Sequence, residues 1–297
     1  MRFLLVFIMI HSVSSFSQIW TEPFDTLGYY DKLNPNPEEY LDIKSKTIKD
    51  YDSNDSIVKY HYYEYNEKGL LSKQILHTIP DTEHDTSYFY YNDEGVFQQI
   101  VLGDNDKKDI TRSIDYNTAG KIERISESTP DTTTIWRFTY KKDGLLDSII
   151  YEAGNYKVFT YDFNKQLKKK EVYRDWALKE YFVYAHPEKN VLVYQHCLIN
   201  KKGNPYIPCE VVEGYFNSDG ELKKIVSKYD LDSTDITTYK FERNKDGNLI
   251  NFSREDNSGN SSKSVYIRNK EGLLIRVNHL DENGEVYFRS MTSYEYR

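Results

Sequence analysis

Seven histidines, two cysteines and a few paired acids are the residues of this chain best equipped for chemistry. The histidines are His11, His61, His77, His84, His186, His196 and His279. His84 lies in Asp81-Thr82-Glu83-His84-Asp85, where a base among carboxylates has the makings of a proton relay or a metal ligand set. No second histidine stands beside it at ligand spacing, so a solvated loop is its expected setting. Asp104-Asn105-Asp106 and Asp230-Leu231-Asp232 alternate carboxylates as calcium loops do. The first lacks the downstream Gly and Glu and runs into Lys107 and Lys108; the second also lacks the Gly. No nucleophile elbow, phosphate loop or dinucleotide fingerprint occurs. The sequence therefore assigns no catalytic residue, no metal ligand and no cofactor, and an enzyme is not expected.

Cys197 and Cys209 flank the turn signal Asn200-Lys201-Lys202-Gly203 at nearly equal distance from its centre. In an antiparallel hairpin such residues come opposite each other or one diagonal apart. Two arrangements stay open: a cross-strand disulfide, or two separate thiols with at least one buried. Pro205 and Pro208 disturb the ladder and leave the register undecided. Within the repeat, the irregular block from His186 to Pro208 is the best place for a unique contact, and the alternative is that it is a tolerated insertion. Trp20, Trp136 and Trp176, with the many tyrosines, offer aromatic faces on which sugars stack.

The 297 residues are 38% hydrophobic and 15% aromatic, with 28 Tyr and 14 Phe, which is unlike a disordered chain. The net charge of −8 argues against nucleic acid and against an anionic membrane surface as partner. Arg2, the apolar run Phe3 to Ile10 and the small residues Ser12 to Ser17 follow the order of a secretory signal peptide over 1–17. The expected location is exported: periplasmic, cell-surface or secreted, with no transmembrane segment after signal removal.

A repeat must position whatever site exists. Tyr65-Asn66-Glu67-Lys68-Gly69-Leu70-Leu71 and Tyr91-Asn92-Asp93-Glu94-Gly95-Val96-Phe97 are two copies. Tyr116 to Ile122 and Tyr140 to Leu146 are two more, and later copies centre on Gly220, Gly247, Gly272 and Gly284. Gly69, Gly95, Gly120 and Gly144 are 26, 25 and 24 residues apart. Asn or Asp at the first turn position hydrogen-bonds the backbone ahead of it, and Gly takes positive φ to close a type I turn with a G1 bulge. Tyr65 then faces Leu71, Tyr91 faces Phe97, Tyr116 faces Ile122 and Tyr140 faces Leu146. Tyr161-Asp162-Phe163-Asn164-Lys165-Gln166-Leu167 carries Lys165 where the glycine belongs. Three residues past the Leu position stand Ile100, Ile125, Ile149, Ile225, Phe252 and Val277, an offset that places them on the opposite strand face. Parts of both faces are therefore expected to be buried.

The expected fold is all-β: an antiparallel meander of about twenty strands in hairpins of about 25 residues, forming one long twisted or rolled sheet. The repeat domain is 43–297, preceded by a cap segment, 18–42, with a short helix near 37–42.

The copies resemble the tyrosine–aspartate (YD, or RHS) repeat, whose core is Tyr-Asp-x-x-Gly-x-Leu. Asn mostly replaces Asp here, while Asp162 keeps the family residue. The resemblance covers about 60–296 and implies an exported, spiralling β-sheet. Large members enclose a toxic C-terminal domain; here only one strand's worth of sequence follows Gly284, so that role is not implied. The expected function is a non-catalytic binding or structural scaffold at the cell envelope, with a protein or a glycan as partner. The alternative is a carbohydrate-binding envelope protein that uses the aromatic residues of the sheet.

Overall fold

The computed structural model describes residues 41–79, 84–104, 110–152, 154–206, 209–228 and 235–297. The signal segment, the cap helix, Trp20, Pro208 and the central residues of both acidic loops lie outside them. All of the described regular structure is β. The first seven strands are β1 (Ile43–Tyr51), β2 (Ile57–Tyr65), β3 (Leu71–Thr78), β4 (His84–Tyr91), β5 (Phe97–Asp104), β6 (Ile110–Tyr116) and β7 (Ile122–Ser128). Ten follow: β8 (Thr133–Tyr140), β9 (Leu146–Glu152), β10 (Asn155–Tyr161), β11 (Leu167–Arg174), β12 (Ala177–Glu188), β13 (Val191–Leu198), β14 (Glu210–Phe216), β15 (Leu222–Lys228), β16 (Ile236–Arg243) and β17 (Leu249–Asp256). The last three are β18 (Ser261–Arg268), β19 (Leu274–Leu280) and β20 (Val286–Tyr296).

The chain divides into two compact units, one of residues 136–262 and one that joins residues up to 135 with 263–297. Within each, sequence neighbours pair antiparallel. The expectation of one long twisted or rolled sheet left open whether its ends meet, and in the second unit they do. There β1 pairs with β2 on one side and β20 on the other, Ile48 facing both His61 and Thr292. The first and last described strands thus cover each other's edges, which would otherwise offer unpaired backbone groups.

One local device builds the hairpins. In the Asn66 turn, the Asn66 side-chain oxygen accepts from the backbone N–H of Lys68 and of Leu70, each at 3.0 Å. The Gly69 N–H closes the turn on the Asn66 carbonyl at 2.9 Å. The pattern recurs at Asn92, Asn117, Asp162, Asn200, Asn217, Asn244, Asp256 and Asp281. Gly69, Gly95, Gly120, Gly144, Gly220, Gly247, Gly272 and Gly284 all have positive φ. Lys165 holds the same conformation at φ 64°, without the glycine's freedom.

The register shifts by one residue beside the Asn66, Asn92, Asn117, Asp162, Asn217, Asn244 and Asp281 turns: Tyr90 faces Gln99, yet Tyr91 faces Phe97. The skipped residue reverses the alternation, so Phe97 and Ile100 lie on the same face, with Phe89 opposite Ile100. This corrects the opposite-face placement expected from a simple count of three. Ile114 likewise meets Ile125, Phe138 meets Ile149, and Phe241 meets Phe252. In each unit these rings and branched chains form a buried face, with Ile100 and Ile149 at 0% exposure. The opposite face is mixed. Val101, Val211 and Val226 are buried there, and Tyr90, Ile150 and Val183 are exposed.

The bulge also explains the recurrent tyrosine. Tyr91 donates its hydroxyl to the Leu71 carbonyl at 2.9 Å, Tyr116 to that of Phe97 at 2.8 Å, and Tyr294 to that of Leu274 at 2.9 Å. Each acceptor directly precedes the skipped residue of an earlier copy, where the ladder is interrupted. Phenylalanine would pack but leave that carbonyl without this donor.

Three substitutions separate these effects. No atom stands within 4 Å of a Cβ added at Gly120, so Gly120→Val acts through its φ of +73° alone. It should cost about 1–3 kcal/mol in urea unfolding, and Lys165→Gly should be neutral or mildly stabilising. Tyr116→Phe should cost about 0.5–1.5 kcal/mol by the same measurement.

Candidate functional site

Three adjacent strands put a charged cluster on the buried face of the 136–262 unit. His196 on β13 faces Phe182 on β12 and Glu210 on β14. Glu180 stands one diagonal from His196. The His196 Nε2 lies 2.9 Å from Glu180 Oε2, and its Nδ1 lies 3.9 Å from Glu210 Oε2. The Phe182 ring stacks on the imidazole, with centroids 4.2 Å apart and planes 3° from parallel. Lys170, only 6% exposed, places its ammonium 3.8 Å from the other partner of the stack, the Phe182 centroid. Ser227 donates to Glu210 at 3.0 Å, and Arg174 reaches Glu180 at 3.3 Å.

Burial by itself would lower the His196 pKa, but hydrogen bonds to Glu180 and Glu210 outweigh it and hold the pKa at about 9. The His196 hydrogen bond holds the Glu180 carboxyl below its ordinary range against the opposing effect of burial. The imidazole is thus a cation at neutral pH with both nitrogens turned to carboxylates. It has no lone pair to offer as a base, and the nearby serine hydroxyl points to a carboxylate. The arrangement is a buried ion network rather than a proton-transfer relay.

The other unit carries its own polar group on the buried face. Asp50, 3% exposed, lies 3.4 Å from His61 Nε2. Burial raises the Asp50 pKa, but hydrogen bonds from His61 and Ser290 outweigh that and leave it lowered. Ser264 Oγ lies 2.9 Å from His279 Nδ1, and burial lowers the His279 pKa, leaving that ring neutral. The Asp50 carboxylate hydrogen-bonds His61 and also acts on the His279 ring through its charge, so the two histidines belong to one polar group.

The sequence-flagged residues fall elsewhere. Cys197 and Cys209 form a disulfide with S–S 1.99 Å and Cα atoms 4.7 Å apart. Within the block expected to be irregular, β12 and β13 pair regularly apart from one register shift near Ala185. The Asn200 turn closes like the others, with Gly203 N–H on the Asn200 carbonyl at 2.9 Å. His84 is not in a loop but opens β4, directly opposite His77. Among the described residues no group of three or more His, Cys, Asp or Glu is placed to hold a metal ion. Trp136 packs edge-on against Tyr151, with centroids 6.3 Å apart, and Trp176 is 72% exposed. Sequence reasoning missed Glu180, His196, Glu210, Lys170 and Asp50. The signal was there: charged residues standing in the apolar register of their strands.

No family model matches the chain, and no curated protein matches it. Solved structures with a similar trace include a porin-like protein from Bacteroides uniformis, at 14% identity and TM-score 0.35, covering 86% of this chain and 96% of that one. Another is the Tc holotoxin pore of Photorhabdus luminescens, at 12% identity and TM-score 0.39, covering 81% of this chain and 17% of that one. The TcdB2-TccC3-Cdc42 structure is similar at 10% identity and TM-score 0.34, again covering 17% of its own chain. The protein thus spans about a sixth of the toxin chains it matches. Likeness at these levels assigns no residue a role.

The ion network sets a pH signature. The folded His196 pKa lies above its unfolded value of 6.5, so its stabilisation is complete below pH 6.5 and is lost as pH rises through about 9. Glu180, lowered when folded, contributes above about pH 4.5 and loses its contribution on acidification. Chemical denaturation across pH 5–10 should show stability falling between pH 6.5 and 9. His196→Gln should flatten that limb.

Proposed function

We propose that this chain is a non-catalytic exported repeat protein that acts as a binding or structural scaffold at the cell envelope. The observation that carries this reading is the face opposite the buried one. In the 136–262 unit it alternates tyrosines with charges of both signs: Lys169, Glu171, Tyr173, Tyr181, Glu213, Tyr215, Lys224, Lys240 and Glu242. Lys228 pairs with Glu213 at 2.8 Å on that face, and Lys224 lies over the Tyr215 ring, 5.3 Å from its centroid. Such a surface favours water and polar macromolecules. A lipid-facing strand row would instead lose about 2–4 kcal/mol for each Lys or Arg at the bilayer midplane. No helix among the described residues is long and apolar enough to cross a membrane, though that does not bear on spanning by strands.

The titratable groups found on the buried face are engaged with one another, which favours a structural role for them over turnover. The likeness of the turns to tyrosine–aspartate repeats supports the same reading, as does the signal-like start of the sequence. Regular hairpins present the same groups at regular intervals, which suits an extended partner.

The test is cross-linking in the producing cell followed by fractionation and mass spectrometry. The protein should be recovered outside the cytoplasm, with its N-terminus near Gln18, joined to one envelope protein or glycan. Recovery from the cytoplasm with residues 1–17 intact, or substrate turnover by the purified chain, would overturn the proposal.

A further inference from the structure

We infer that the hairpin corner formed by Trp176, Tyr156 and Tyr173 is a binding platform for a neutral pyranose of a glycan chain. Arg174 faces Ala177 across the β11–β12 hairpin, so Asp175 and Trp176 alone make the turn. Their φ values are +51° and +62°. A two-residue turn with both φ positive is the type I′ turn, which Asn-Gly or Asp-Gly makes without strain. Asp175 suits its place. Trp176 does not, because a bulky side chain in the left-handed region is an outlier. Turn formation therefore gives no reason for a tryptophan here, and backbone strain of this kind gathers at functional positions.

The turn that carries the indole is held in place by its backbone. The Trp176 main-chain N–H donates to the Gly154 carbonyl at 2.9 Å, and the Asp175 main-chain N–H donates to the Asn155 side-chain oxygen at 3.1 Å. A Cβ at Gly154 would lie 2.9 Å from both indole Cδ1 and Nε1, so the glycine admits the ring against the neighbouring turn. The tyrosines continue the surface. Tyr156 and Tyr173 face each other across β10 and β11, with centroids 4.5 Å apart and planes 8° from parallel. Tyr156 lies 6.1 Å from Trp176. The result is a pre-ordered group of three rings that ends in an indole left 72% open to solvent.

A pyranose fits this chemistry. Its C–H face rests on an aromatic face, and its hydroxyls take donors and acceptors at the rim. Exposed Asp175 supplies acceptor oxygens at the rim, while Arg174 is turned to Glu180 at 3.3 Å. Lys169 is compensated by Glu171 at 2.8 Å, and the Asp175 carboxylate opposes an anionic sugar, which together favour an uncharged one. Three rings at a corner are far less than the roughly 800 Å² a stable protein partner covers on each side. The inference goes beyond the scaffold role and stands or falls without it.

The full chain should be titrated with cellohexaose, laminarihexaose and chitohexaose by calorimetry. At least one should bind. Trp176→Asn, which suits the left-handed turn, should weaken that binding at least tenfold while the melting temperature stays equal or rises. Phe163→Ala should leave binding unchanged, since Phe163 is 93% exposed at a different turn. Failure of all three hexaoses to bind at millimolar concentration would overturn the inference, as would unchanged binding by Trp176→Asn. Saturation-transfer NMR on the unsubstituted protein gives a readout independent of any variant. Aromatic saturation should reach the sugar ring C–H protons, and its absence from a bound hexaose would also overturn the platform.

Discussion

A single skipped residue beside each turn governs this protein. An Asn or Asp side chain and a left-handed residue close the turn, and the next strand begins with one residue more than its partner can match. Without that bulge, the Leu position and the apolar residue three places on would lie on opposite faces. With it, Phe97 and Ile100 share a face, as do Leu146 and Ile149. Within each unit the defect recurs at the Asn/Asp turns and keeps the apolar residues on one face, and beside the same defect lies the carbonyl that the next tyrosine serves. Turn, core and tyrosine are three consequences of one local geometry.

The charges set into the buried face qualify that picture. A protein that needed only a dry apolar layer would have no reason to keep Lys170, Glu180, His196 and Glu210 there. Each is costly alone, and a network that satisfies every member offsets the cost while constraining which strands lie side by side. His196 contacts groups from both neighbouring strands, so a slip of β12 or β14 by one residue would leave a buried charge uncompensated. The cluster reads as a register lock for a stretch where β13 is bracketed by a long strand and by the disulfide-bonded segment.

The turns were legible in the sequence because their chemistry is local: Asn66 and Gly69 act on backbone atoms at most four residues away. Strand count and hairpin pairing followed from the same spacing. Three things were less legible. The face assignment failed because a count of three ignores the residue the bulge removes from the ladder. Pairing of β1 with β20 left no trace because it joins segments about 250 residues apart, with Lys44 and Glu295 bonded across a separation of 251. The Glu180–His196–Glu210 network was hidden because its members lie on three strands and resemble ordinary surface residues until the register aligns them.

That distant pairing has a consequence for biogenesis. The unit that contains β1 is discontinuous: its opening strands leave the ribosome before residues 136–262, and its closing strands leave after them. Closing a loop of this length is slow relative to local hairpin formation, and here it also waits for the far end of the chain to exist. Early hairpins can form, but β1 keeps one edge unpaired until β20 arrives. A chain built this way stays loosely folded and threadable while it is being made. That unit gains its final cooperativity only once both of its segments have been made.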